Sequence, residues 1–89
     1  MKAIVTVVGE DRVGIIASVC AQLASYNVNV LDISQTVMQG YFTMMMVVDV
    51  SACSLPLAEL VVLMDEMGKE RGLSIRLQRE DIFDAMHHI

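Results

Sequence analysis

The chain alternates between two hydrophobic periods, and the switches between them mark its elements. Lys2 to Val8 reads as a strand apolar on both sides, with Ala3, Val5 and Val7 on one face and Ile4 and Val8 on the other. A strand apolar on both faces belongs in the interior of a sheet. From about Gly14 to Tyr26 the period becomes helical, with Ile16, Val19, Cys20, Leu23 and Ala24 on one stripe. Asp11 is a candidate cap for this helix, and Asn27 a residue that tolerates the left-handed backbone of a helix end. Val28 to Met38 returns to strand alternation, but Val28 and Val30 share one parity and Leu31, Ile33 and Val37 the other. A slip of one residue within a strand predicts a bulge near Val30 and Leu31.

Gln39-Gly40 is short enough to make a hairpin turn. Tyr41 to Val50 follows as a second interior strand, with Phe42, Met44, Met46, Val48 and Val50 facing one way. Ser54 and Pro56 are the start signals of a second helix that runs to about Arg71 and closes at Gly72. Its predicted inner stripe is Leu57, Leu60, Val61, Met64 and Met67, and Val62 and Leu63 widen it beyond what one sheet needs. Leu73 to Glu80 alternates cleanly, as an edge strand with one wet face does. Asp81 to Ile89 reads as a short terminal helix with Asp81 as cap and Asp84 as the reciprocal acid.

The order is β-α-β-β-α-β, the split pattern of ferredoxin-like folds. The prediction is an α+β fold: a four-stranded antiparallel sheet in the order 4-1-3-2, two helices on one face, and a short C-terminal helix. Right-handed crossovers put both helices on the same side. The far side keeps Ile4, Val8, Met45 and Val47 with no helix to cover them, so a second copy of the chain is expected there.

Composition supports that expectation. The 89 residues form one predicted domain, 1–89, yet 55% are hydrophobic and 19% charged. So apolar a small domain calls for a partner surface, and a homodimer is the simplest one. The net charge is −5, and the six basic residues are scattered without a stripe. That pattern argues against nucleic acid as partner. No apolar run is long enough for a membrane span and no signal peptide opens the chain, so the expected location is cytoplasmic. Cys20 reads as a small core residue and Cys53 as a loop residue; their spacing fits neither a metal site nor a redox pair. His87 and His88 are adjacent, which on a helix points them about a hundred degrees apart and unsuits them to grip one metal. The eight methionines fall on core or sheet-face positions as adaptable packing.

The candidate chemistry sits at the first strand-to-helix switch, Val8-Gly9-Glu10-Asp11-Arg12-Val13-Gly14-Ile15-Ile16. A turn of this kind leaves free backbone N–H groups at the positive end of a helix, suited to an anionic ligand group. The same residues also suffice for a bare turn with a helix cap. There is no Gly-Lys-Ser/Thr, so nucleotide phosphate binding is unsupported, and the spacing is not that of a dinucleotide loop. No nucleophile–base pair or metal-ligand set stands out, so no catalytic residue, metal or cofactor is expected. Two readings remain: a ligand-binding regulatory module and a ligand-free oligomerisation module.

The stretch from Ala3 to Ile15 resembles the opening of an ACT domain: a strand, a glycine loop, then Gly-Ile at a helix start. Residues 29–36 (Asn-Val-Leu-Asp-Ile-Ser-Gln-Thr), residues 41–45 and the tail from Ile82 to Ile89 resemble the stand-alone bacterial single-ACT proteins, and these are similar to the ACT repeats of the glycine-cleavage transcriptional repressor. The resemblance spans the whole chain. It implies a regulatory role through a partner protein, with a small molecule, usually an amino acid, bound at the first loop and near the start of strand two, often at a subunit interface. Carried over residue by residue, the implied ligand-binding set is Gly9, Asp11, Arg12, Val13, Gly14 and Ile15, with Asn27 and Asn29 across from them.

Overall fold

The computed structural model describes residues 1–10 and 14–82. Its elements run β1 (Lys2–Glu10), α1 (Ile15–Ser25), β2 (Asn29–Met38), β3 (Tyr41–Asp49), α2 (Leu57–Arg71) and β4 (Ser74–Arg79). All pairings are antiparallel, in the order β2-β3-β1-β4. This is the expected topology, with the two doubly apolar strands in the middle. Residues 80–82 take helical conformation after β4. The rest of the predicted terminal helix, with Asp84, His87 and His88, lies outside the described residues, as does the candidate cap Asp11.

One face of the sheet forms the core with the two helices. Ala3, Val5 and Val7 from β1 and Met44, Met46 and Val48 from β3 have no exposed surface. Val19 and Leu23 of α1 and Leu60 and Met64 of α2 close over them and are equally buried. No polar or charged side chain is buried among the described residues. Cohesion therefore rests on apolar burial, at about 25 cal/mol per Å² removed from water. The stripe of α1 is rotated slightly from the expected one. Ile15, Val19 and Leu23 are its buried line, Ile16 and Cys20 pack against the core half-buried, and Ala24 is exposed. In α2 the buried line is Leu60, Met64, Met67 and Gly68, and Val61 and Val62 face outward.

Both helices end by the same device. The N–H of Val28 donates to the Leu23 carbonyl (3.0 Å) and that of Asn27 to the Ala24 carbonyl (3.0 Å) around a left-handed Asn27, φ 61°. At the end of α2 the Leu73 N–H donates to the Gly68 carbonyl (2.7 Å) around a left-handed Gly72, φ 70°. In each case the next residue, Val28 or Leu73, turns back into the core. The start of α2 departs from expectation. Pro56 occupies the cap position with no side-chain bond, and Ser54 instead ties its loop to α1, its N–H donating to the Tyr26 carbonyl at 2.9 Å.

The predicted bulge is present. Val30 pairs with Val48 and Asp32 with Val47, so Leu31 is the extra residue. The bulge switches which parity faces the helices, from Val30 to Ile33, Gln35 and Val37. Beyond it β2 overhangs the helical layer: Leu31, Ile33 and Val37 are 48%, 40% and 57% exposed. The Gln39-Gly40 turn has positive φ at both residues, and Met38 pairs directly with Tyr41. That is the two-residue turn whose twist matches the strands it joins.

Gly68 is where α2 meets β4. A Cβ there would lie 2.8 Å from the Leu73 carbonyl oxygen and 3.1 Å from Ile75. Replacing a mid-helix glycine by alanine ordinarily stabilises, by up to ~1 kcal/mol. Here backbone must move, and overpacking reverses the sign. Gly68→Ala is expected to destabilise by about 1–3 kcal/mol, read from urea unfolding.

After β3 the chain turns at Ser51, whose N–H donates to Asp49 Oδ1 at 2.9 Å. The Met1 amino group reaches the Ser51 hydroxyl and lies 3.6 Å from Asp49. The Ser51 hydroxyl and N–H, with the amino group adding a smaller effect, hold the Asp49 carboxyl below its ordinary 3.8. The folded-state value is the lower one. The group therefore contributes stability at pH above 3.8, and that contribution is lost as pH falls through the lowered value. Asp49→Asn is expected to be less stable than wild type at neutral pH, with the gap closing under acid, as thermal unfolding across a pH series would show.

Candidate functional site

The start of α1 opens into a cleft of about 510 Å³. Its floor is the first turn of α1, residues 14–17, and its walls are Gln35 and Val37 from β2 and Phe42 from β3. The overhang of β2 creates this space, because its far half extends past the helices. Register explains the meeting. Val37 pairs with Phe42, and Phe42 pairs with Gly9, so the end of β2 comes back beside the glycine loop.

The lining is apolar apart from the Gln35 side chain and the helix backbone. The Ser18 N–H donates to the Gly14 carbonyl at 2.9 Å as the first bond of the helix. The N–H groups of Ile15, Ile16 and Ala17 precede it and have no intrahelical acceptor. No side chain caps them among the described residues, and the first turn holds no acidic residue. The cleft thus sets the first-turn N–H groups of α1, without a side-chain cap among the described residues, beside aliphatic and aromatic walls. Such a place suits a small molecule with an anionic group at one end and an apolar group at the other.

Of the residues singled out in the sequence, Gly14 and Ile15 line this cleft. Asp11, Arg12 and Val13 lie outside the described residues. Gly9 is adjacent in β1, and its own neighbourhood accounts for it: a Cβ there would sit 2.3 Å from Leu73 Cδ2. Asn27 and Asn29 are not brought to the loop by this chain. They follow the far end of the eleven-residue α1, about 16 Å away at 1.5 Å rise per residue. Asn29 pairs with Asp49, which in turn is opposite Lys2, at the other end of the sheet. Asn27 already serves as the left-handed closure of α1. The residues that do face Gly14, namely Gln35, Val37 and Phe42, were legible in principle. A two-residue turn at Gln39-Gly40 sets the β2–β3 register, and counting across it places the end of β2 beside the loop.

Elsewhere, Cys20 is half-buried rather than buried, and Cys53 is half-buried also. No three His, Cys, Asp or Glu side chains among the described residues are grouped to hold a metal ion. No helix among them is long and apolar enough to cross a membrane.

Gly14 has φ 87°, and a Cβ on it would meet no atom of the described residues within 4 Å. Substitution there is opposed by backbone conformation, not by crowding among the described residues. Asparagine adopts left-handed angles far more readily than valine. Thermal unfolding should therefore find Gly14→Asn close to wild type and Gly14→Val lower by about 1–2 kcal/mol. Equal losses for both would count against a strained backbone at this position.

Comparison with known proteins places these features in a family. The ACT-domain family model matches residues 2–78. A UPF0237 protein of Bifidobacterium longum is 53% identical over 88 residues, covering 99% of this chain and 98% of its own length. An ACT domain protein from Streptococcus pneumoniae superposes with a TM-score of 0.83 at 42% identity, over 94% of each chain. A putative glycine cleavage system transcriptional repressor superposes with a TM-score of 0.73 at 21% identity, over 88% of this chain and 44% of the other, a likeness of fold. With topology, glycine loop and helix start all in the matched span, the chain belongs to the ACT-domain family.

Proposed function

We propose that this chain is a non-enzymatic sensor module that binds an amino acid with an aliphatic side chain in the cleft at the start of α1, and as a homodimer acts on a partner protein. ACT domains are generally small-ligand-binding regulatory modules, which sets the level of the reading. The observation that carries the rest is the junction of first-turn helix N–H groups, without a side-chain cap among the described residues, with an apolar cleft. A carboxylate accepts from the N–H groups of residues 15–17. The Gln35 carboxamide oxygen faces an ammonium. The ligand's side chain lies against Val37 and Phe42. A charged ligand side chain would meet no counter-charge on these walls. Gly9, Asp11, Arg12 and Val13 join this reading on the family resemblance, as the stretch that precedes Gly14 in the sequence. Asn27 and Asn29, at the other end of the sheet, take no part in this cleft.

Calorimetry against valine, leucine, isoleucine, serine, glutamate and lysine is the test, with thermal shift as a second readout. Ligand at a hundred times its dissociation constant raises stability by ~2.7 kcal/mol. An aliphatic amino acid is expected to bind. Val37→Asp, at an exposed position, should weaken binding at least tenfold, roughly the cost of one misplaced polar group in an apolar wall, while the protein stays folded. If Val37→Asp binds as well as wild type, the ligand sits elsewhere. If none of the six binds wild type, the ligand-free oligomerisation module becomes the better reading.

A further inference from the structure

The sheet face turned away from the helices takes no part in the cleft. Ile4, Thr6 and Val8 of β1 stand there beside Thr43, Met45 and Val47 of β3. Val8 and Met45 are 39% and 38% exposed, and Met38 and Tyr41, at the turn end of the same face, are 67% and 61% exposed. Ile4, in their midst, is buried at 8% exposure, and Thr6, Thr43 and Val47 are half-buried. The flanks are polar and of opposite sign. On β4, Arg76 stands next to Thr6; on β2, Asp32 stands next to Val47. Neither forms an ion pair among the described residues. The Asp32 carboxylate only accepts a bond from its neighbour Ile33, at 2.9 Å.

We propose that this face is the homodimer contact, two copies packing sheet on sheet about a two-fold axis parallel to the strands. The inference rests on the homodimer reading above and supplies its geometry. A two-fold axis in the interface can run along the strands or across them. Along the strands, it lays β4 of each copy over β2 of the other, and Arg76 comes over the Asp32–Ser34 stretch of its partner, twice by symmetry. Across the strands, it lays β4 over β4 and β2 over β2, so that Arg76 faces Arg76 and Asp32 faces Asp32. Lys2 meets an acidic residue under either axis and does not decide. The flanking charges therefore select the parallel axis.

The area is adequate. Four strands about 4.8 Å apart and about 20 Å long present roughly 400 Å² in projection, and more as accessible surface. Two such faces reach the lower range of specific interfaces, ~1,200 Å² in total. Sheets packed face to face lie about 10 Å apart, a gap that Val8, Met45 and Val47 from both copies fill.

The test is the mass of the full chain by light scattering and sedimentation, with circular dichroism to confirm folding. Wild type is expected to be a dimer at micromolar concentration. Arg76→Asp and Asp32→Arg should each weaken the dimer at least tenfold, since each removes two attractions and installs two repulsions. The chain carrying both changes should regain the dimer. Met45→Asp, which places a charge at the centre, should give a monomer. A wild-type monomer overturns the homodimer reading and this inference with it. A dimer unmoved by the single reversals and by Met45→Asp overturns the interface alone. Amino-acid binding, measured on the same variants, is expected to persist throughout, because the cleft is on the helical side.

Discussion

The register that runs from β2 through β3 to β1 is the constraint on which the molecule depends. It begins at a two-residue turn that pairs Met38 with Tyr41 and carries across to Glu10. A shift of one residue anywhere along it would turn Met44, Met46 and Val48 out of the core and the threonines in. The same register decides what borders the glycine loop. Phe42 is held between Val37 and Gly9, so the cleft follows from strand pairing before any loop conformation is considered. The first turn of α1 contributes the rest of the lining, entered through Gly14 in a left-handed conformation.

Most of the fold was legible from periodicity. Strands β1 and β3 announced their central places by being apolar on both faces, and the parity slip at Val30-Leu31 announced the bulge. The cleft was less legible, for a physical reason. Linear proximity and resemblance point to the start of β2, where Asn27 and Asn29 lie, but antiparallel pairing delivers the end of the strand to the loop. Asn27 also illustrates an ambiguity of residue type. A polar residue after a helix can serve a ligand or the backbone, and here its left-handed φ shows the backbone use. Gly9 is similar, its missing side chain being needed by Leu73. Ser54 misled as a cap because Pro56 already begins the helix with a fixed φ and no N–H to satisfy.

The core is unusual in how much of it is methionine: Met44 and Met46 from the sheet, Met64 and Met67 from α2. Unbranched thioethers fill irregular gaps at small cost in shape. A helix pressed close to the sheet through Gly68 needs such neighbours, since the close contact at one point leaves uneven space on either side. Close approach and adaptable packing are thus two parts of one solution.

The Leu31 bulge has a consequence for how the sequence can vary. It divides β2 into two half-strands whose inward positions have opposite parity. The first half, ending at Val30, is anchored over the core; the second carries the wall of the cleft. Because the bulge takes up the odd residue, the two halves are uncoupled in phase, and each can drift in sequence under its own pressure. Were Leu31 paired in a regular ladder instead, the strand could keep Val30 inside or Gln35 and Val37 facing the helix, but not both. A single surplus residue therefore lets one strand answer to core packing at one end and to the shape of a cleft at the other.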